Sequence, residues 1–173
     1  MPRPSIRWVI SDTHFYHDAM VELCQRPVDF NERILKACRY VIAPQDLLIH
    51  LGDVIFYKYH TLKDLLDSIP CRKVLTLGNH DRRGSGWYSR NGFDFVCDAF
   101  TLDDILFSHK PMPFDPQQIR LNIHGHLHNT DHRAKPDWYT DRHHLISLEQ
   151  TGYKPIDLCS IVNLYEKLTK PAG

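Results

Sequence analysis

The sequence predicts an α/β fold, in which a largely parallel sheet carries a second sheet packed on it. Two observations predict it. Up to residue 83, apolar β-branched runs alternate with helical periodicities, and this alternation implies parallel strands joined by right-handed crossovers. After Gly84-Ser85-Gly86, short strands follow one another with little helix between them.

Ile6 to Ser11 reads as a buried strand, with Trp8, Val9 and Ile10 in succession. Asn31 offers an N-cap to a helix whose apolar positions Ile34, Leu35, Cys38, Val41 and Ile42 repeat every 3.6 residues, and Pro44 closes it. Leu47 to Leu51 is the second strand. Leu62, Leu65, Leu66 and Ile69 mark an amphipathic helix stopped by Pro70, and Lys73 to Leu77 is the third strand. Phe93 to Cys97, Ile105 to Ser108, Ile119 to His124 and Leu145 to Leu148 are assigned to the second sheet. A last helix is expected around Ile161, Leu164, Tyr165 and Leu168. No repeat or linker interrupts the chain, so residues 1–173 are expected to form one domain.

The bulk composition narrows the function. Lys+Arg and Asp+Glu are both 21, and a null net charge does not support broad attraction to duplex nucleic acid. The five cysteines are odd in number, widely spaced and lack a C-x-x-C pair, which argues for a reducing compartment. No apolar stretch approaches the ~20 residues of a membrane span, and the N-terminus lacks a long apolar h-region. A cytoplasmic protein is expected, without a membrane partner. Histidine, at 12 residues, is the compositional outlier.

Position gives those histidines meaning. Five strings, each after a strand-like run, carry metal-ligating types: S-D-T-H at Asp12 and His14, L-G-D-V at Asp53, L-G-N-H-D at Asn79 to Asp81, S-H-K-P at His109 and H-G-H-L-H at His124 to His128. Taken singly, each has an ordinary explanation as a turn residue or a satisfied strand-end histidine. Together they place carboxylates, imidazoles and an amide where open α/β sheets gather ligands, outside the carboxyl ends of the strands. Asp12 and His14 point the same way if the extended backbone continues, and His126 and His128 stand at strand spacing. A mixed N/O donor set without thiolate suits Mn, Fe, Co, Ni or Zn in a catalytic rather than a structural site.

In this order, D-x-H, G-D, G-N-H-D, S-H and G-H-x-H resemble the calcineurin-like metallophosphoesterase superfamily, and S-D-T-H-F-x-H is similar to its small, cap-free bacterial and phage-type members. The resemblance runs from Asp12 to His128. It implies two mixed β-sheets packed as a sandwich and flanked by helices, in agreement with the pattern above. It also implies two divalent metal ions, with Mn favoured. Asp12, His14, Asp53 and His128 would hold the first; Asp53, Asn79, His109 and His126 would hold the second, with Asp53 bridging. The family's glycine-first pattern selects His126 and His128 and leaves His124 as a strand-end residue. His80 would be a catalytic group at the leaving group, oriented by Asp81.

The implied activity is hydrolysis of a phosphoester, more readily a diester, with a metal-bridging hydroxide as nucleophile. The substrate would be a small phosphoester of the nucleotide-derived kind. The alternatives are a phosphomonoesterase, a nuclease of the same fold, or a non-catalytic scaffold. His17, Arg82, Arg83 and Lys110 are candidates to contact substrate phosphate, and Trp138 and Tyr139 to stack on an aromatic group. His50, His60, His132, His143 and His144 are read as structural or surface residues.

Overall fold

The computed structural model describes residues 3–129 and 133–169. Its strands are β1 (Arg7–Ile10), β2 (Leu47–His50), β3 (Arg72–Thr76), β4 (Phe95–Cys97), β5 (Ala99–Leu102), β6 (Ile105–Ser108), β7 (Leu121–His124), β8 (His143–Leu145) and β9 (Ile156–Asp157). The helices are α1 (Met20–Leu23), α2 (Phe30–Val41), α3 (Leu62–Asp67), α4 (Ser85–Arg90), α5 (Leu148–Thr151) and α6 (Leu158–Thr169). One sheet has the order β4-β3-β2-β1-β9, parallel except for β9; the other is β5-β6-β7-β8, parallel except for β5. Both are mixed.

Strand alternation decides which face each side chain joins. From β1 and β2, Ile10 and Leu48 turn toward Phe30, Ile34 and Cys38 of α2 and Leu62, Leu65 and Leu66 of α3. Val9 and Ile49, one position away, turn into the layer between the sheets and meet Ile105, Phe107, Leu121 and Ile123. Leu158 and Ile161 of α6 complete that layer. Packing these apolar faces brings the carboxyl ends of β1, β2, β3, β6 and β7 to one place.

Several boundaries differ from the sequence reading. The segment assigned as Phe93 to Cys97 joins the first sheet, with Val74 opposite Phe95, because α4 supplies a crossover that the Gly/Ser turn signal concealed. The chain then changes sheets at Asp98, between β4 and β5. Asn31 is not a cap: α2 starts at Phe30, and the Asn31 side-chain oxygen accepts from the Tyr16 N–H at 3.0 Å. The strand expected over Leu145 to Leu148 ends at Leu145, and Leu148 opens α5. The short edge strands β5 and β9 had no pattern long enough to mark them.

Candidate metal centre

The D-T-H segment continues β1 alongside the residues after β2. The N–H groups of Asp12, His14 and Phe15 donate to the carbonyls of Gly52, Asp53 and Val54 at 2.9–3.0 Å. The backbone is nevertheless not extended there. Asp12, His14 and Asp53 adopt φ of 51°, 46° and 55°, and His126 and His128 take 70° and 51°. The expectations of a continued strand at Asp12–His14 and of strand spacing at His126–His128 are corrected: both pairs reach the centre through left-handed turns. Such a conformation costs a non-glycine residue roughly 1–2 kcal/mol, and its clustering is characteristic of functional sites.

Two glycines allow the close approach. A Cβ on Gly125 would lie 1.8 Å from Ser11 Oγ and 2.3 Å from Asp12 Oδ2, and one on Gly78 would lie 2.1 Å from Asp53 Oδ1.

Asp12 and Asp53 each commit one oxygen to the protein and leave the other free. Asp12 Oδ2 accepts from Ser11 Oγ and from the His126 N–H at 2.9 Å, while Oδ1 has no partner. Asp53 Oδ1 accepts from the His80 N–H at 2.8 Å, while Oδ2 has none. Both ring nitrogens of His14 are buried and unpartnered as well. The free Asp53 Oδ2 lies 3.5 Å from His14 Nε2 and 3.5 Å from His109 Nε2. His128 Nε2 is 3.4 Å from Asp12 Oδ1. Leaving such groups unsatisfied costs about 1–3 kcal/mol each.

The His109 tautomer sharpens this. Its Nδ1 lies 2.8 Å from the Leu51 carbonyl, which can only accept, so Nδ1 carries the proton. In the neutral ring, Nε2 is then a lone pair facing Asn79 Oδ1 and His126 Nδ1, each at 3.0 Å. His109 Nε2, Asn79 Oδ1 and His126 Nδ1 thus come together at one point, a donor set that a cation could hold. Asp12, His14 and His128 form one group able to hold a metal ion and Asp53, His109 and His126 another, so the residues fit a pair of divalent cations.

Ionisation follows from the same crowding. Burial raises the Asp53 carboxyl to about 6, with the Asp12 and Asp81 carboxylates adding to the rise against the pull of His109 and the His80 N–H. For Asp12, burial is outweighed by His109, His128 and His14, and its carboxyl lies well below the usual range. Burial lowers His14 far below the ordinary imidazole value.

The Asp81 expectation is also corrected. Its oxygens accept from the N–H groups of Asp53 (2.7 Å), Gly78 (2.8 Å) and Val54 (3.0 Å), and not from the His80 ring. Asp81 holds the two loops that carry Asp53 and Asn79. His80 itself is half-buried, with Nδ1 lacking a partner, and its ring centroid is 5.4 Å from that of His14.

Three residues were missed. Arg26 is buried, donating through Nη2 to the Asp12 carbonyl (2.8 Å), through Nη1 to that of Thr13 (3.0 Å), and through Nε to Glu149 Oε1 (2.7 Å). Glu149 Oε1 also lies 3.4 Å from His128 Nδ1, so one ion pair ties the D-T-H turn to the H-L-H turn. A carboxylate behind a ligating histidine fixes its ring and raises its basicity. Burial of Glu149 is outweighed by His128, Arg26 and Ser147, which hold its carboxyl at about 2. Cys24 lies with His128 and Glu149 in a third close group, although Glu149 is already paired to Arg26. Arg133 Nη1 approaches His126 Nδ1 at 3.1 Å and also donates to the His126 carbonyl. An arginine and a glutamate so distant in sequence from the strings carry no local signal.

The weaker candidates separate. Lys110 lines, with Asn79, His109 and Met112, a cleft of about 450 Å³ beside the second group. Arg82 is exposed next to His80, whereas Arg83 lies over the Tyr59 ring at 4.6 Å. Tyr139 is hydrogen-bonded to His124 at 2.9 Å, and the exposed Trp138 packs on His143 at 5.4 Å. His60 is exposed and His144 half-buried; His132 lies outside the described residues.

Among the described residues, no helix is long and apolar enough to cross a membrane. A family model described as calcineurin-like phosphoesterase matches residues 7–147. An uncharacterized protein of Methanocaldococcus jannaschii is 30% identical over 175 residues, covering 92% of this chain and 91% of its own. The crystal structure of a protein of unknown function from Aquifex aeolicus superposes with a TM-score of 0.75 at 28% identity, over 93% of this chain and all of the other (100%). A nuclease of Pseudomonas putida shares the fold, with a TM-score of 0.53 at 20% identity over 70% of this chain and 61% of its own.

Proposed function

The chain belongs to the calcineurin-like phosphoesterase family, and on that premise we propose that it is a metal-dependent phosphoester hydrolase that prefers diesters. One observation carries the reading: the unpartnered Asp53 Oδ2 stands 3.5 Å from an imidazole nitrogen of each group, the place of a carboxylate shared between two cations. Two divalent ions there, Mn first among Mn, Fe, Co, Ni and Zn, would lower the pKa of water and stabilise charge on phosphoryl oxygens.

The chain's own residues then have defined tasks. Asp12, His14, Asp53 and His128 would hold one ion, and Asp53, Asn79, His109 and His126 the other. Asp81 fixes the loops bearing Asp53 and Asn79, and Glu149 with Arg26 fixes His128 and the D-T-H turn. His80 is the group placed to hold or transfer a proton at the leaving-group oxygen, because its backbone is tied to Asp53 and its Nδ1 has no protein partner beside His14. Burial, then Arg133 and Arg82, lower its pKa; an arriving phosphate anion opposes that shift. The preference for diesters rests on the resemblance to small family members with histidine at the G-N-H position.

The test is a screen of purified protein with Mn, Ni, Co, Zn or Mg against bis-nitrophenyl phosphate, nitrophenyl phosphate and cyclic nucleotides. Turnover is expected with Mn and faster on the diester. Absence of turnover with every metal would overturn the reading in favour of a scaffold.

A further inference from the structure

His50, His124 and His143 use their ring nitrogens differently from His14 and His80. Away from the centre, each spends both ring nitrogens on protein partners. His50 meets Thr13 Oγ1 (2.9 Å) and the Gly52 N–H (3.1 Å), and His124 meets the Gly125 carbonyl and Tyr139 hydroxyl, both at 2.9 Å. His143 meets the Met112 carbonyl (3.0 Å) and the Thr140 N–H (3.1 Å). This is what structural burial of an imidazole requires. At the centre, His14 leaves both nitrogens unpartnered, and His80 leaves Nδ1.

His17 follows the second pattern although no metal group includes it. Its Nδ1 is buried and without a partner. Its ring centroid lies 5.4 Å from that of His14 and 6.4 Å from that of His80, whose own centroid is 5.4 Å from His14. Packing, not hydrogen bonding, fixes it. The ring stacks on Phe56 at 3.8 Å with the planes only 6° apart, and Phe56 in turn touches His80 at 5.4 Å and Tyr57 at 4.8 Å. The backbone is anchored on both sides: the His17 N–H donates to the His14 carbonyl (3.0 Å), and the His17 carbonyl accepts from Met20 (2.9 Å). One phenylalanine therefore backs two imidazoles that keep their hydrogen-bonding capacity beside a metal ligand.

Preorganised donors with no protein partner are what a developing or resident anion needs, because nothing has to reorganise when it arrives. We propose that His17 contacts the substrate, donating a hydrogen bond to an anionic phosphoryl oxygen as the partner of His80, with Phe56 holding both rings. This rests on the phosphoesterase reading and extends it: the recognised group is a phosphoryl anion, gripped by two imidazoles in addition to the metal centre.

The test uses His17→Ala, His17→Gln and Phe56→Leu in the full chain loaded with Mn. Three quantities are measured: metal per chain by elemental analysis, inorganic phosphate affinity by calorimetry, and kcat and KM on bis-nitrophenyl phosphate. His17→Ala is expected to keep its metal, bind phosphate about 10-fold more weakly and lose about 10- to 100-fold in kcat/KM, as for a hydrogen bond to a charged group. His17→Gln, which retains a donor, should recover part of both losses, and Phe56→Leu should lose a few-fold in each with metal intact. Phosphate affinity and kcat/KM unchanged in His17→Ala would overturn the proposal, as would loss of metal, which would make His17 a support for His14. If His17→Ala does not fold, the comparison of His17→Gln with wild type decides by the same criteria. Wild-type protein that turns over no phosphoester, yet binds phosphate more tightly than His17→Ala, would sink the activity and leave the His17 contact standing.

Discussion

Glu149→Gln separates a structural glutamate from one that positions a ligand. The wild-type carboxylate pairs with Arg26 at 2.7 Å, with side-chain exposures of 4% and 0%, and lies 3.4 Å from His128 Nδ1. Burial disfavours its charge, but the His128 hydrogen bond, Arg26 and Ser147 prevail and hold the carboxyl at about 2 against an ordinary 4.5. At 1.36 kcal/mol per pH unit, that depression corresponds to about 3 kcal/mol of stability at neutral pH, in line with the ~3–5 kcal/mol lost when a buried ion pair is broken. Because the folded-state value is depressed, the contribution is complete above about pH 4.5 and disappears as pH falls toward 2. Glu149→Gln should therefore lower Tm by about 6–12 °C at pH 7, at roughly 2–4 °C per kcal/mol. In denaturant titrations, its penalty should shrink steadily between pH 5 and pH 3. Metal affinity should drop about 10- to 100-fold through the loosened His128. A penalty under about 1 kcal/mol, or one independent of pH over that interval, would refute the reasoning.

Three further substitutions probe separate parts of the centre. Asp53→Asn should deplete both metals, read by elemental analysis; two fully occupied positions would contradict the shared carboxylate. His80→Ala should retain metal and lose about 10²-fold or more in turnover of a diester, the scale of a lost proton-transfer group, and near-normal rates in metal-loaded mutant protein would remove His80 from the mechanism. Asp81→Asn forces an NH₂ group against backbone N–H donors now accepted by Asp81 oxygens, so it should lower Tm and metal content together. A mutant with full stability and metal but slow turnover would instead restore the role of orienting His80.

The sequence disclosed those features whose cause is local. The strands before Asp12, Asp53 and Asn79 showed as apolar runs because they are buried on both faces, and the ligand types showed because each follows such a run. Features set at a distance did not show. Arg26 meets Glu149 across 123 positions, so neither residue has a neighbour that predicts the pair. The resemblance implied Asp81 as the orienter of His80, whereas the fold turns its carboxylate toward residues 53 and 54. Left-handed φ at Asp12, His14 and His128 left no trace, because these positions hold residues chosen for their side-chain chemistry and not for turn propensity.

The two candidate ion positions draw on both sheets. Asp12, His14, Asp53 and Asn79 follow strands of the first, and His109, His126 and His128 follow strands of the second. An ion bound at either position is thus a rivet through the interface between the sheets. Its binding free energy is also free energy of their docking, added to the folded state by mass action. Chelation would be expected to act as a mechanical release, loosening one sheet from the other at the end where the ligands meet. For such a molecule, metal supply would set how long the folded chain persists as well as how fast it works.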